Sequence, residues 1–363
     1  MFQPRCLPIL IGSLPLQDHI EAVQKIIEYT PDIPLWPQLP KRKKEGMIRQ
    51  FLTGFPGLID EGQRFWIDAD SEDFADEMTS FYEEYLLAEA DPAYLKTSRF
   101  ALGQDSAPGF AAFLDIITDR AQKVVTLKGQ VTGPVTTGIG TRDRHGNSIF
   151  YDDNLRDMLI KHLALKACWQ VMELQHLTNA TAPIIFIDEP GMVSFGSSAF
   201  SGVSREMVTS AVGEVIKAIQ SAGGLAGVHI CANGDWGPAL DSGADILSFD
   251  AYSYFNNIAL YAQELTAFIK RGGILAWGII PTGDPIIVAE ENSSNLFTKW
   301  LSQLETLAAL GLSKQLIMEQ TLIAPACGTG SLTLELAVKV LQMNRDVAIK
   351  CQEYLHQHLD HSS

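Results

Sequence analysis

Short apolar segments alternate with long amphipathic segments along this chain of 363 residues, and this alternation constrains the fold more than any other feature. Eight apolar segments end in glycine, proline or polar residues and predict strands at residues 8–12, 33–36, 124–131, 184–188, 226–231, 246–249, 274–279 and 316–323. Segments with helical periodicity follow them, for example at residues 17–29, 155–177, 205–221 and 332–355. Repeated β–α units with buried parallel strands predict an α/β fold, a single (β/α)8 TIM barrel.

Residues 41–113 interrupt this alternation after the second predicted strand. The segment is too long for one loop, and it contains short apolar runs near residues 65–67 and 100–102. We therefore predict an insertion of helices and a hairpin within one TIM-barrel domain that spans residues 1–363.

The composition excludes several classes of partner. A net charge of -16 argues against nucleic acid and against an anionic membrane, because both attract basic surfaces. No apolar run approaches the roughly 20 residues that a membrane-spanning helix needs. The five cysteines are scattered without disulfide spacing, which predicts a reducing, cytoplasmic location.

The segment Val228-His229-Ile230-Cys231 predicts a metal site. Side chains two residues apart on a strand share a face, so His229 and Cys231 point the same way. Cys327 follows the last predicted strand and adds a second thiol. One imidazole and two thiolates directed at one point are ligands that zinc prefers.

Further polar residues also follow predicted strands, and barrel active sites lie at the carboxyl ends of the strands. Ser13, Thr132, Asp188 and Asp250 are the main examples, which predicts one site. Asp188 and Glu189 are costly to bury unless they meet a cation or hydrogen-bond donors, so both are candidates for substrate contacts and Asp188 for a catalytic role. For these acids and for Asp250, the alternative is an ordinary helix cap or first-turn acid.

The chain resembles a known family in an ordered set of motifs. These motifs are Ile11-Gly12-Ser13, Lys128-Gly129, Thr132-Gly133-Pro134-Val135-Thr136, Ile187-Asp188-Glu189-Pro190, His229-Ile230-Cys231, residues 244–250 and Pro325-Ala326-Cys327-Gly328. They are similar to the carboxyl-terminal barrel of cobalamin-independent methionine synthase. Its superfamily also includes uroporphyrinogen decarboxylase and the methylcobamide:coenzyme M methyltransferases. The resemblance covers residues 7–340.

The resemblance implies a zinc-dependent methyltransferase that activates a substrate thiol, homocysteine in the first place, as in methionine biosynthesis. The implied zinc ligands are His229, Cys231 and Cys327, with Asp250 at the position of a fourth ligand. The backbone of Ile11, Gly12 and Ser13 would hold the carboxylate of the amino acid. Asp188 would hold its amino group.

Two departures from the family matter. Leu35-Trp36-Pro37-Gln38-Leu39-Pro40 replaces a His-Gly-Glu-Pro segment, which removes a glutamate that in the family helps to hold the amino acid. Gly138-Ile139-Gly140 stands where the family has a tryptophan for the folate ring, which leaves the methyl donor open. The alternatives are a methyltransferase of the coenzyme M type that uses a methylated corrinoid protein, and a metal-free lyase of the uroporphyrinogen decarboxylase type. A zinc-stabilised binding protein without activity is a further alternative.

Overall fold

The fold was analysed in a computed structural model that describes residues 2–177, 181–194 and 202–359. The strands in these ranges are β1 (Leu7–Pro8), β2 (Leu58–Asp60), β3 (Phe65–Ile67), β4 (Lys128–Thr132), β5 (Ile184–Asp188), β6 (Leu225–Ile230), β7 (Ile246–Phe249), β8 (Ile274–Ile280) and β9 (Thr321–Pro325). Seven of them form one curled parallel sheet in the order β1-β9-β8-β7-β6-β5-β4, and β2 and β3 form a separate antiparallel hairpin.

Helices connect the parallel strands and cover the outside of the sheet. They are α1 (His19–Tyr29), α2 (Arg49–Leu52), α3 (Phe74–Ala90), α4 (Pro92–Leu95), α5 (Pro108–Ile117), α6 (Pro134–Gly140), α7 (Asp153–Gln175), α8 (Arg205–Ser221), α9 (Gly237–Asp241), α10 (Ala251–Ile258), α11 (Ala262–Lys270), α12 (Pro285–Glu290), α13 (Ser293–Ala309), α14 (Lys314–Glu319) and α15 (Leu334–Leu359). This arrangement is a TIM-barrel-like α/β fold, as the sequence predicted.

An irregular extended segment, residues 33–38, lies between the two edges of the parallel sheet. Leu35 forms an isolated parallel bridge with Lys128 of β4, and Gln38 forms another with Ser13 beyond β1. Hydrogen bonds from Lys128 N to the Pro34 carbonyl (3.0 Å) and from Leu14 N to the Gln38 carbonyl (3.0 Å) join these strands. Proline lacks the N–H that a strand ladder needs, so Pro34 and Pro37 keep this eighth position from forming a regular strand.

The predicted strands agree with the structure in the centre of the sheet. The predictions at residues 184–188 and 246–249 match β5 and β7, and β6 and β8 differ from their predictions by one residue. These strands are buried along almost their whole length. Continuous apolar runs of β-branched residues are typical of parallel strands covered on both faces, which explains why they could be recognised.

The strand predicted at residues 316–323 is wrong in its first half. Residues 314–319 form helix α14, and only Thr321–Pro325 form β9. Ser313 caps this helix by accepting a hydrogen bond from Leu316 N (3.3 Å) on its side chain. The apolar side chains of Ile317 and Met318 are buried from a helix as well as they would be from a strand, so a short apolar run could not decide between the two.

The segment at residues 41–113 contains α2, the hairpin β2–β3, α3, α4 and part of α5. It packs on helix α7 through polar contacts as well as apolar ones. The Tyr82 hydroxyl donates to Asp157 (2.7 Å), and the His162 ring lies 3.0 Å from the Phe51 carbonyl. In the described ranges, no helix is both long and apolar enough to cross a membrane.

Lys166 of α7 is a fully buried cation at this contact. Its Nζ donates only long hydrogen bonds of 3.4 Å to the carbonyl groups of Arg99 and Ala101. Burial penalises the charged form and lowers the pKa of Lys166 to about 7. The folded state therefore binds fewer protons than the unfolded state between about pH 7 and the usual lysine value of 10.5.

We expect Lys166→Met to flatten the pH dependence of stability above pH 7. Because the unfolded native chain binds more protons in that window, its free energy of unfolding rises with pH there. Methionine removes this contribution, which is at most about 1.4 kcal/mol per pH unit, and so stabilises the variant most at and below pH 7. Urea unfolding at several pH values measures the slope, with the exposed Lys217→Met as the control. Equal slopes in Lys166→Met and the native protein would contradict this assignment.

Candidate metal centre

Three ligand-bearing side chains converge at the carboxyl end of the barrel. His229 lies near the end of β6, Cys231 follows directly, and Cys327 follows β9. One ligand atom from each of the three lies within 4.8 Å of the other two. These residues meet as the sequence predicted, because all parallel strands of the sheet end at the same face of the barrel.

The His229 ring is held in a fixed orientation. Its Nδ1 lies 2.9 Å from the Ser248 hydroxyl, and Ser248 is the register partner of His229 on β7. Its Nε2 is buried and has no hydrogen-bond partner in the described part of the chain. A histidine with one nitrogen bound to an orienting side chain and the other buried without a partner has the arrangement of a metal ligand. The residues present therefore fit a metal ion.

The two thiols influence each other's ionisation. A hydrogen bond from the Cys327 thiol lowers the pKa of Cys231, and the same hydrogen bond raises the pKa of Cys327. Both cysteines are free and partly buried. Cys231 is thus the thiol that loses its proton more readily, and thiolates are the form in which cysteine binds metals.

A cavity of about 420 Å³ opens beside the three candidate ligands. The predicted residues Ile11, Ser13 and Asp188 line it together with the metal-ligand candidates, and Gly12 lies between the first two. Asp188 is 4% exposed, and its Oδ1 is buried without a hydrogen-bond partner among the described residues. Burial raises the pKa of Asp188, while the charges of His229 and Lys128 oppose this shift. A positively charged ligand beside Oδ1 would therefore stabilise the charged form of this buried carboxyl group.

Glu189 does not line the cavity, in contrast to the sequence-based prediction. Its carboxylate accepts hydrogen bonds from Val135 N (2.9 Å), Thr136 N (2.8 Å) and the Thr136 hydroxyl (2.6 Å). Burial raises the pKa of Glu189 to about 7, although these bonds oppose the shift. Glu189 fixes the start of α6 to the end of β5, because a carboxylate satisfies the free N–H groups of a helix N-terminus.

Asp250 caps helix α10 and lies outside the three-residue group. Its Oδ1 accepts a hydrogen bond from Ser253 N (2.8 Å), and the side chain is 7% exposed. Burial raises the pKa of this carboxyl. Its role as a fourth metal ligand stays a prediction, and the geometry favours the alternative of an N-cap.

The sequence did not reveal part of the cavity wall. Gln38, Pro40, Glu45 and Met47 line it, and they lie in or next to the predicted insertion. Glu45 is 2% exposed and pairs with His19 (2.9 Å) and Arg42 (2.8 Å), so it attaches this wall to α1. A buried glutamate within a run of lysine and arginine residues gives no recognisable signal, because only its tertiary partners explain its burial.

The comparisons with known proteins show the fold. Neither the protein-family models nor the curated proteins that were searched match this chain. One of the solved structures that match is the B12-independent methionine synthase from Shewanella sp. W3-18-1 in complex with selenomethionine. The TM-score is 0.55 at 13% sequence identity, over 97% of this chain and 99% of that chain. The likeness shows a shared fold and confirms the fold that the motif resemblance implied.

Asp250→Asn separates the two roles of this residue, because asparagine caps a helix as well as aspartate does. We expect the Asn variant to keep its metal affinity within about threefold, since a cap needs no charge. Asp250→Ala should lose about 1 kcal/mol of stability through the lost cap. Competition with a chromophoric chelator measures the affinity. A decrease of about ten- to a hundredfold in the Asn variant would instead establish a role in metal binding.

Proposed function

We propose that this protein is a zinc-dependent methyltransferase that methylates the sulfur of an amino-acid thiol, homocysteine in the first place. The observation that carries the proposal is the convergence of His229, Cys231 and Cys327 beside a cavity that Asp188 lines. The fold shared with a B12-independent methionine synthase supports the same reaction class.

His229, Cys231 and Cys327 would hold the zinc ion. Zinc bound there would lower the pKa of a substrate thiol, so that the thiolate forms near neutral pH. Three protein ligands leave one tetrahedral position for the substrate, which is typical of catalytic rather than structural zinc. Ser248 orients His229 through the contact at 2.9 Å.

The charges around the cavity support an amino-acid substrate. The Asp188 carboxylate can accept hydrogen bonds from an ammonium group, and its free Oδ1 is the atom that would do so. Ser13 accepts a hydrogen bond from Gly330 N (3.2 Å) on its hydroxyl oxygen, which leaves the hydroxyl proton free to donate to the substrate. These residues would hold the amino acid so that its sulfur faces the three ligands.

The same charges disfavour the other branches of the superfamily. Among the described residues that line the cavity, two are carboxylates, Asp188 and Glu45, and none is lysine or arginine. A porphyrinogen with several carboxylates would need several cationic side chains in contact with them, which the described lining residues do not provide. Coenzyme M has no ammonium group to pair with Asp188, and so we prefer an amino-acid thiol as the acceptor.

We propose only the chemical class of the methyl donor. A methylated corrinoid protein or another small methyl donor would approach from the open side of the cavity, where Met47 and Pro40 are exposed. We place the reaction in the cytoplasm, since a site with two reactive thiols requires a reducing compartment.

Replacing either cysteine ligand should remove the metal without unfolding the barrel. We expect about one zinc ion per native chain and loss of most of it in Cys231→Ser and Cys327→Ser. The fold should persist, because packing of the barrel rather than zinc stabilises it. Cys168→Ser, which changes a free cysteine on α7 outside the cluster, is the matched control. Elemental analysis showing stoichiometric zinc in both ligand variants would disprove the assignment.

Asp188→Asn tests the acceptor. It keeps the shape of the side chain and removes its charge, so the Michaelis constant for homocysteine should rise about ten- to a hundredfold, the range for a charge-assisted hydrogen bond. The Michaelis constant for 4-sulfanylbutanoate, which is homocysteine without its amino group, should stay within about threefold of the native value. Thiol methylation from methylcobalamin provides the assay. If homocysteine is unaffected, or if coenzyme M is the better acceptor of the native enzyme, the amino-acid proposal is wrong.

A further inference from the structure

Lys128 is a fully buried lysine directly behind the cavity wall, and the proposed reaction does not yet use it. Its Nζ donates to the Ile11 carbonyl (2.6 Å) and to Gln130 Oε1 (3.3 Å), and it lies 4.4 Å from the centre of the Phe186 ring. Barrel interiors are usually filled by branched apolar side chains. Burying a lysine instead costs free energy, so its position calls for a role that an apolar residue could not fill.

The Ile11–Ser13 turn, residues 11–13, connects Lys128 to the cavity. Ile11 and Ser13 line the cavity, whereas Lys128 does not. The peptide bond between Ile11 and Gly12 is trans, so its carbonyl and its N–H point in opposite directions. Since the carbonyl accepts from Lys128, the Gly12 N–H points away from the lysine.

The donors of this turn are free to bind a ligand. Within the described part of the chain, the N–H groups of Gly12 and Ser13 form no hydrogen bond, although the Gly12 and Ser13 carbonyls accept from Gln38 N (3.1 Å) and Thr329 N (2.9 Å). Successive free N–H groups form a site for an anion. A peptide whose carbonyl is bound to a cation is also polarised, which makes its N–H a stronger donor.

Lys128 and Asp188 are therefore a basic and an acidic group in one site. Burial lowers the pKa of Lys128 to about 7, and the nearby Asp188 carboxylate opposes this shift by favouring the charged form of the lysine. They interact electrostatically, and Asp188 lines the cavity directly while Lys128 acts through the turn. This arrangement complements a zwitterion, with the ammonium group at Asp188 and the carboxylate at the free N–H groups. We propose that Lys128 is the positioning residue that makes the Ile11–Ser13 turn a carboxylate subsite and so selects α-amino acids. This inference rests on the proposed function.

Three ligands that share a methylthio group separate the two charges. L-methionine has both charges, 4-(methylsulfanyl)butanoate has only the carboxylate, and 3-(methylsulfanyl)propylamine has only the ammonium group. Isothermal titration calorimetry measures their binding without turnover and without a methyl donor. We expect Lys128→Met to weaken the binding of L-methionine and of the butanoate about ten- to a hundredfold, the range for hydrogen bonds to a charged group. The affinity for the amine should stay within about threefold of the native value.

Two further variants complete the experiment. Asp188→Asn should weaken the binding of L-methionine and of the amine but leave the affinity for the butanoate unchanged. Lys166→Met, the same substitution at another fully buried lysine, is the matched control and should leave all three affinities within about twofold. Lys128→Gln keeps a hydrogen-bond donor for the Ile11 carbonyl but removes the charge. This variant should lose the same affinity for ligands with a carboxylate. It therefore tests the role of Lys128 even if Lys128→Met does not fold.

The outcomes distinguish this inference from the proposed function. If the native protein binds none of the three ligands, the proposed function fails and the role of Lys128 fails with it. If the native protein binds L-methionine but the Lys128 variants keep their affinity, or lose affinity for all three ligands alike, only the Lys128 inference is wrong. A loss restricted to the two carboxylate ligands supports it, because a merely structural defect would not depend on the charge of the ligand.

Discussion

The parallel register of β5, β6 and β7 is the constraint on which the site depends. It pairs Asp188 with His229 and His229 with Ser248, so that one row of side chains crosses three neighbouring strands. This row joins the cavity carboxylate, the imidazole of the candidate metal centre and the hydroxyl that orients this imidazole. A shift of one residue in any of these strands would turn its side chain to the other face of the sheet and separate the three.

Buried polar groups connect this row to the rest of the barrel. Glu189 holds the start of α6, Lys128 holds the Ile11 carbonyl, and Glu45 attaches the outer cavity wall to α1. Each of these charged groups is costly in an apolar interior and is stabilised by bonded partners. A network of this kind holds the side chains of the candidate site in place.

Much of the fold and of the candidate site could be predicted from the sequence, for different physical reasons. The central strands were recognised from continuous apolar runs, and the candidate metal ligands from alternation on β6 and the position of Cys327 after β9. Helix α14 could not be predicted, because a run as short as the one around Ile317 is compatible with either structure. The polar contacts around the site could not be predicted either, since partners such as His19 and Glu45 are 26 residues apart in the sequence.

The sequence by itself determined the β–α alternation, the chemistry of His229, Cys231 and Cys327, and the strand ends at which they occur. Local patterns suffice there, because alternation and apolar runs act over a few residues. Only the tertiary structure decided that Glu189 binds the start of α6, that Asp250 caps α10 and that Lys128 lies behind Ile11. An acidic or basic side chain can bind a metal, a helix end or a substrate, and only its neighbours in space determine which.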